Sequence, residues 1–202
     1  MLAPLQEMNG FWVPYHGDPA NYKLAFQHIQ AIFQETGVPS NAVRWVFAPN
    51  GYQEPGDPPF EDYYPGDAYV NIIGFSSYNM GFCPSTLDRR VGAWDMAAQL
   101  YGPYISRMKA MAPSKPIFIV EIATTSYSSL SHPDPAAKNQ WLIDSYKYLS
   151  GQKVKGILYL NKDDECDWAV YKPDRALTGY PQAVIGQEFS YTDPTNMINL
   201  FP

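Results

Sequence analysis

The chain has 202 residues, of which 46% are hydrophobic and 17% charged, and these proportions are those of an ordinary globular protein rather than a disordered or fibrous one. Its net charge of −6 and its sequence pI near 4.9 leave no continuous basic surface to neutralise phosphates, so we expect no nucleic-acid partner. Aromatic residues make up 15% of the chain, and since aromatic rings stack on sugar rings as well as filling cores, this excess raises the expectation of a carbohydrate ligand.

Short apolar runs alternate along the chain with longer stretches of helical spacing, and this alternation is typical of repeated βα units around a parallel sheet. The predicted strands are Leu2–Glu7, Val43–Pro49, Val70–Ser76, Pro116–Ile122 and Lys155–Asn161. The predicted helices are Pro19–Thr36, Val91–Met111, Asp134–Leu149 and Lys172–Val184, with a short piece at Gly66–Tyr69. No low-complexity linker divides the chain, so residues 1–202 are expected to form one α/β domain.

Two long connections rich in Pro, Gly and aromatic residues, Phe11–Pro19 and Ala48–Gly66, each follow a predicted strand. In β/α proteins the connections at this end of the strands build the sites. No Gly-rich phosphate turn follows any strand, so a nucleotide-binding fold loses its main support.

Two glutamates end predicted buried strands, Glu7 in Leu-Ala-Pro-Leu-Gln-Glu and Glu121 in Pro-Ile-Phe-Ile-Val-Glu. A carboxylate that ends a buried parallel strand is costly unless it is paired or functional. Hydrolysis of a glycosidic bond with retention needs two such groups, one to protonate the leaving oxygen and one to attack the anomeric carbon. The pair therefore favours a glycosidase, although a salt-bridged strand end is the alternative for each glutamate alone.

Five motifs follow one another along the chain: Glu-Met-Asn-Gly-Phe-Trp at 7–12, Arg-Trp-Val-Phe-Ala-Pro-Asn at 44–50, Tyr-Tyr-Pro-Gly-Asp-Ala-Tyr-Val at 63–70, Gly-Phe-Ser-Ser-Tyr-Asn at 74–79 and Phe-Ile-Val-Glu-Ile-Ala at 118–123. In these motifs and their order the chain resembles glycoside hydrolase family 26, which contains mainly endo-β-1,4-mannanases with some mixed-linkage glucanases and xylanases. The resemblance implies a (β/α)₈ barrel, with Glu7 as general acid/base at the end of barrel strand 4 and Glu121 as nucleophile at the end of strand 7.

The same resemblance implies that Trp12 is an active-site tryptophan and that Tyr78, after strand 6, hydrogen-bonds the nucleophile. Gln6 and Asn9 are candidates for contacts with sugar hydroxyls. The family often has a sugar-stacking aromatic residue after the last strand. In this sequence Trp168 comes several residues later, and it is kept as a candidate substrate-binding residue. The mechanism requires no metal or organic cofactor, and the sequence has no metal-site spacing.

The sequence departs from the family pattern at two places. Gln6 replaces the histidine that commonly precedes the acid/base in the mannanases, and glutamine cannot titrate, so the prediction of mannan is weaker than the prediction of a hydrolase. If Glu7 ends strand 4, only about strands 4 to 8 are present, and the expectation is an N-terminally incomplete catalytic domain. A partial barrel exposes sheet edges through which copies could associate.

The first hypothesis is a retaining endo-β-glycosidase acting on a plant-type β-glycan, with β-1,4-mannan as the expected polymer. The alternatives are a mixed-linkage β-glucanase or xylanase of the same family, and an inactive remnant or non-catalytic carbohydrate-binding protein. No apolar stretch approaches the roughly 20 residues that cross a bilayer, so no membrane partner is expected. Export of the full-length parent is a family expectation, although this sequence shows no signal peptide. Whether Cys83 and Cys166 pair is left open, since two cysteines make no disulfide framework.

Overall fold

The computed structural model describes residues 1–84, 92–130, 132–163, 166–172, 175–176 and 179–185. The chain divides into two compact units, each assembled from three segments. The first unit comprises Met1–Asn79, Ala98–Ala123 and Val154–Leu160, and the second comprises Met80–Ala97, Thr124–Lys153 and Asn161–Pro202. The prediction of one domain over the whole chain stays a prediction.

A four-stranded sheet forms the framework, with β1 at Val46–Phe47, β2 at Ile72–Asn79, β3 at Ile117–Thr124 and β4 at Gly156–Tyr159. The strands are ordered β1-β2-β3-β4, and the β1–β2 and β3–β4 pairs are parallel. Helix α1 spans Pro19–Glu35, α2 spans Ala97–Met111, α3 spans Pro135–Gly151 and α4 spans Gly179–Ile185, with a 3₁₀ helix at Phe60–Tyr63. Parallel strands in chain order with helices between them are the arrangement of a (β/α)₈ barrel, and the predicted partial barrel is confirmed.

Helix α1 begins where the sequence signals predict. Asp18 is the N-cap and accepts a hydrogen bond from the backbone N–H of Asn21 at 3.1 Å, and Pro19 occupies the first helical turn, where its missing N–H is no loss. The helix ends before Gly37, whose φ of 81° is a left-handed conformation that glycine adopts without strain. These local signals place the helix after the first long connection.

Aromatic residues pack the helices of the first unit against its strands. Tyr22 of α1 lies edge-on to Phe47 of β1, with ring centroids 6.4 Å apart, and also to Tyr63, at 5.5 Å. Tyr104 of α2 stacks on Phe75 of β2 at 5.5 Å. Tyr22, Phe47, Tyr63 and Phe75 are at most 2% exposed, so these contacts bury aromatic surface between the helices and the sheet.

Three predicted elements are wrong. Leu2–Glu7 is not a strand: Leu2 alone forms a parallel bridge to Trp45, and the chain then turns. Pro4 has no N–H for a ladder, and both Leu5 and Glu7 adopt positive φ angles, 54° and 59°. Gly66–Tyr69 is a turn closed by a hydrogen bond from the N–H of Tyr69 to the carbonyl of Gly66, at 3.0 Å.

The third correction concerns the last predicted helix. Tyr171–Lys172 (β5) and Arg175–Ala176 (β6) pair as antiparallel strands, and the helix begins only at Gly179. Lys172 precedes a proline, and that position disfavours helical backbone. Helix α2 also begins later than predicted, at Ala97 rather than at Val91. Gly92 has a φ of 120°, which is not helical. Residues 85–91 lie outside the described part of the chain.

The second unit is held by a disulfide between Cys83 and Cys166, a pairing that the sequence left open. Asp134 caps α3 by accepting hydrogen bonds from the N–H groups of Ala136 and Ala137, both at 3.0 Å. Helix α3 packs against α4, with Tyr146 edge-on to Tyr180. None of the helices in the described ranges is long and apolar enough to cross a membrane.

Candidate functional site

Glu7 lies beside the carboxyl end of β1 and is partly exposed. Its backbone N–H donates to the carbonyl of Ala48 at 2.7 Å, so the turn that carries it is fixed to the sheet although it is not itself a strand. Glu7 has a φ of 59°, so its side chain points in a different direction from that of a residue in an extended strand. Left-handed backbone at a non-glycine residue is uncommon and persists only where surrounding contacts hold it.

Three side chains donate hydrogen bonds to the Glu7 carboxylate. The indole Nε1 of Trp12 donates to Oε2 at 2.8 Å, while the Asn50 amide donates to Oε1 at 2.7 Å and the Ser76 hydroxyl donates to the same Oε1. The donors come from three segments of chain, so the orientation of the carboxylate depends on the tertiary structure. Trp12 is the predicted active-site tryptophan, whereas Asn50 and Ser76 were not predicted.

Glu121 lies within β3 and is also partly exposed. The phenol of Tyr78 donates to its Oε2 at 2.6 Å, as the resemblance implied. Strand β2 runs beyond the predicted end at Ser76 and includes Tyr78. Tyr78 therefore sits on a rigid strand rather than in a loop.

Strand β2 brings the two glutamates into one neighbourhood. Ser76 and Tyr78 are two residues apart on this strand, so their side chains point to the same face, with Cα atoms about 6.6 Å apart. Ser76 donates to Glu7 and Tyr78 donates to Glu121. Two carboxylates that contact neighbouring same-face positions of one strand lie on one face of the sheet.

Aromatic side chains adjoin Glu7. Trp12 is 39% exposed, and the ring of Phe11 meets it edge-on with centroids 5.1 Å apart. Tyr52 lies on another side of Trp12, at 6.5 Å and an interplanar angle of 33°. Exposed ring faces next to a carboxylate suit the apolar faces of sugar rings. Phe11 and Tyr52 were not predicted, although both belong to the long connections that the sequence indicated as site-building.

The two predicted hydroxyl-binding residues differ in position. Gln6 is exposed, and its backbone carbonyl accepts a hydrogen bond from the Tyr15 phenol at 2.9 Å. Burial, and secondarily the nearby Glu7, raises the pKa of Tyr15 above its usual value. Asn9 is 1% exposed and its amide bonds to backbone groups of Asn50 and Tyr52. Sugar contacts for Gln6 and Asn9 stay predictions.

Trp168 belongs to the second unit and is 7% exposed. The residues on either side of it, Asp167 and Ala169, offer their carbonyls to the Nζ of Lys138 on α3, which is itself fully buried. The substrate-binding role of Trp168 stays a prediction. The residues that the structure describes contain no group of three or more His, Cys, Asp or Glu side chains suited to a metal ion.

Comparison with known proteins identifies the family of this chain. Residues 1–150 match the model of glycosyl hydrolase family 26. The chain is 30% identical over 194 residues to Endoglucanase H of Acetivibrio thermocellus, an alignment that covers 91% of this chain and 20% of that protein.

Solved structures agree on the fold. The Bacillus subtilis mannanase BCman superposes with a TM-score of 0.60 at 20% identity, covering 95% of this chain and 48% of the other. A double mutant of the Cellulomonas fimi endo-β-1,4-mannanase superposes with a TM-score of 0.63 at 16% identity, covering 98% and 43%. The chain thus spans about half the length of these two structures.

Proposed function

Because this chain belongs to glycosyl hydrolase family 26, we propose that it carries the catalytic glutamates of a retaining endo-β-glycosidase acting on a plant-type β-glycan. The observation that carries the proposal is the pair Ser76 and Tyr78, which hold Glu7 and Glu121 from adjacent same-face positions of one strand. Retaining enzymes have their two carboxyl groups about 5 to 5.5 Å apart, and we expect that separation between the carboxyl groups of Glu7 and Glu121.

In the proposed reaction Glu121 attacks the anomeric carbon while Glu7 gives a proton to the departing glycosidic oxygen. Water then attacks the glycosyl-enzyme ester as Glu7 takes a proton from it, and Glu121 leaves as a carboxylate. The hydrogen bond from Tyr78 aims the Glu121 carboxylate before attack. Trp12 both restrains Glu7 and offers an exposed ring to the sugar, and Gln6, Asn9 and Trp168 remain candidate substrate contacts.

The first candidate polymer is β-1,4-mannan, on which most members of the family act according to the resemblance. The second is β-glucan, and two observations favour it: the relative of 30% identity is named an endoglucanase, and Gln6 stands where the mannanases commonly have histidine. Glutamine offers a neutral amide to a sugar hydroxyl where histidine offers a group that titrates. Xylan is kept as a third substrate for the assay.

The disulfide between Cys83 and Cys166 indicates in which cellular compartment the protein acts. Disulfides persist in oxidising surroundings such as the outside of the cell, and Cys83 and Cys166 are paired. This supports the proposal that the protein acts outside the cytoplasm.

The test compares the purified chain with its Glu7→Ala and Glu121→Ala variants on soluble galactomannan, β-glucan and xylan. We expect hydrolysis of one polymer, with at least about a 1,000-fold loss in either variant since each glutamate takes part in bond breaking. Glu35→Gln, on the exposed surface of α1, controls for the loss of a carboxylate.

Azide distinguishes the two roles. It should restore turnover of an activated aryl glycoside in both variants. With Glu7→Ala it should give the β-glycosyl azide, because azide attacks the glycosyl-enzyme in place of water and needs no general base. With Glu121→Ala it should give the α-glycosyl azide, because azide takes the place of the nucleophile. Hydrolysis that survives Glu121→Ala would contradict the proposal. Glycan binding by a chain that hydrolyses none of the three polymers would instead support the non-catalytic alternative.

A further inference from the structure

Asn50 links the sheet to the proposed acid/base. It follows β1 by three residues, is 1% exposed, and forms a parallel bridge with Ser76 of β2. Its side-chain Nδ2 donates to Glu7 Oε1 at 2.7 Å and lies 3.3 Å from the Ser76 hydroxyl. A buried amide on a paired strand end has little freedom, so it can hold the carboxylate in one orientation.

Asn9 fixes the backbone of Asn50 from the opposite side. Its Oδ1 accepts from the N–H of Asn50 at 2.8 Å, and its Nδ2 donates to the Asn50 carbonyl at 2.9 Å and to the Tyr52 carbonyl at 2.7 Å. The side chain thereby satisfies both backbone groups of Asn50, as a neighbouring strand would. Because Asn9 comes two residues after Glu7, the segment that carries the acid/base also secures the residue that orients it.

The two oxygens of Glu7 have different surroundings. Oε1 faces Asn50 and Ser76, and Oε2 faces the indole of the partly exposed Trp12. The Asn50 amide nitrogen donates only, so it cannot accept a proton from Oε1. Oε1 is thus the anchored oxygen, and Oε2 is the oxygen on the side open to a ligand.

We propose that Asn50 is a positioning residue, which anchors Oε1 of Glu7 so that Oε2 carries the transferred proton. This rests on the proposed function. When the bond between the anomeric carbon and the glycosidic oxygen breaks, its electron pair stays on that oxygen, which takes the proton from Oε2 while Glu121 bonds to the carbon. In the second step the water oxygen bonds to the anomeric carbon and gives its proton to Oε2, while the bond from that carbon to Glu121 breaks and Glu121 leaves as a carboxylate.

The test uses Asn50→Ala and two aryl β-glycosides of the sugar whose polymer the chain hydrolyses. A dinitrophenyl leaving group departs without a proton, whereas an unsubstituted phenol needs one. If Asn50 serves proton transfer, kcat/KM for the phenyl glycoside should fall about 10- to 100-fold, as expected for a lost hydrogen bond to a charged group. The dinitrophenyl glycoside should change less than about threefold.

Asn71→Ala is the matched control. Asn71 precedes β2, and its side chain also binds a strand backbone, accepting from the N–H of Trp45 at 2.8 Å, but it does not contact a carboxylate. It should leave the ratio of the two rates at the wild-type value. Equal losses on both glycosides in Asn50→Ala would indicate general structural damage and overturn the proposal, as would no loss on either.

A second readout does not depend on turnover. The indole N–H resonance of Trp12 reports its bond to Glu7 Oε2, so Asn50→Ala should shift it and speed its exchange with water, while the indole resonance of Trp45 stays in place. An unchanged Trp12 resonance would show that Asn50 does not orient Glu7, even if the wild-type chain hydrolyses its polymer. A wild-type chain without turnover, combined with a shifted Trp12 resonance, would contradict the proposed function and retain the orienting contact.

Discussion

Ser76 and Tyr78 are two positions apart on β2, and each donates its hydroxyl to a different glutamate, Ser76 to Glu7 and Tyr78 to Glu121. One strand therefore contacts both carboxylates, and its period of two residues places the two hydroxyl donors on the same face. Any shift of β2 by one residue would turn both hydroxyls to the other face. Because each hydroxyl contacts a different glutamate, the roles of Glu7 and Glu121 can be tested separately.

Tyr78→Phe should lower kcat by about 10- to 100-fold with little change in KM, because it removes a hydrogen bond of about 1.5–3 kcal/mol that orients the attacking carboxylate. Steady-state rates on the hydrolysed polymer measure the effect. Tyr69→Phe, on an exposed turn of the same unit, is the control and should have wild-type kinetics. A full rate in Tyr78→Phe would show that the bond does not serve the reaction.

Asp18 should make the stability of α1 depend on pH. The hydrogen bond from the backbone of Asn21, followed by the one from its side chain, lowers the pKa of Asp18 in the folded chain. A lowered folded pKa means that the ionised carboxylate stabilises the fold above the unfolded pKa of about 3.9 and that this contribution is lost as the pH falls through the folded value.

The measurement is urea unfolding of the wild type and Asp18→Asn at pH 7 and at pH 3. Asparagine is also a good N-cap, so the substitution removes mainly the charge at the helix N-terminus. We expect the wild type to be the more stable protein at pH 7, and the difference to shrink at pH 3. Glu35→Gln, in the last turn of the same helix, controls for net charge; a difference that grows on acidification would contradict the assignment.

Lys138→Met should destabilise the second unit by about 2–4 kcal/mol. The Lys138 side chain is fully buried, and its ammonium group donates to the carbonyls of Asp167 and Ala169, so its removal leaves one buried and one partly buried acceptor without this donor. Urea denaturation followed by fluorescence measures the change in midpoint. Lys147→Met, on the exposed face of the same helix, should fall within about 0.5 kcal/mol of the wild type. Equal stability of the two variants would mean that the buried ammonium group contributes nothing net.

Replacing both Cys83 and Cys166 by serine should cost about 2–4 kcal/mol, because the disulfide joins residues 83 positions apart and restricts the unfolded chain. Thermal unfolding with and without reductant measures it. The reductant should lower the Tm of the wild type and leave that of the double variant unchanged. An identical Tm for the oxidised wild type and the double variant would show that the crosslink does not contribute to stability.

The sequence alone determined the alternation of strands and helices, the first residue of α1, and the choice of Glu7 and Glu121, although Glu7 lies in a turn and Glu121 lies within β3 rather than at strand ends. These depend on periodicity and on residues within a few positions of one another, which any window of the sequence contains. The helix predicted at residues 172–184 was wrong at its start although the signal there is local. The proline after Lys172 disfavours helical backbone, and this effect outweighed the helical spacing of the apolar residues.

Only the tertiary structure decided what holds Glu7. Its partners Asn50 and Ser76 lie 43 and 69 positions away along the chain, and Asn and Ser are common residues with no spacing that marks them as a pair. The same reason applies to the Cys83–Cys166 disulfide and to the burial of Lys138, a residue type that sequence patterns place at the surface. Long-range hydrogen bonds form because folding brings strand ends together, and that geometry becomes visible only when the register of the sheet is known.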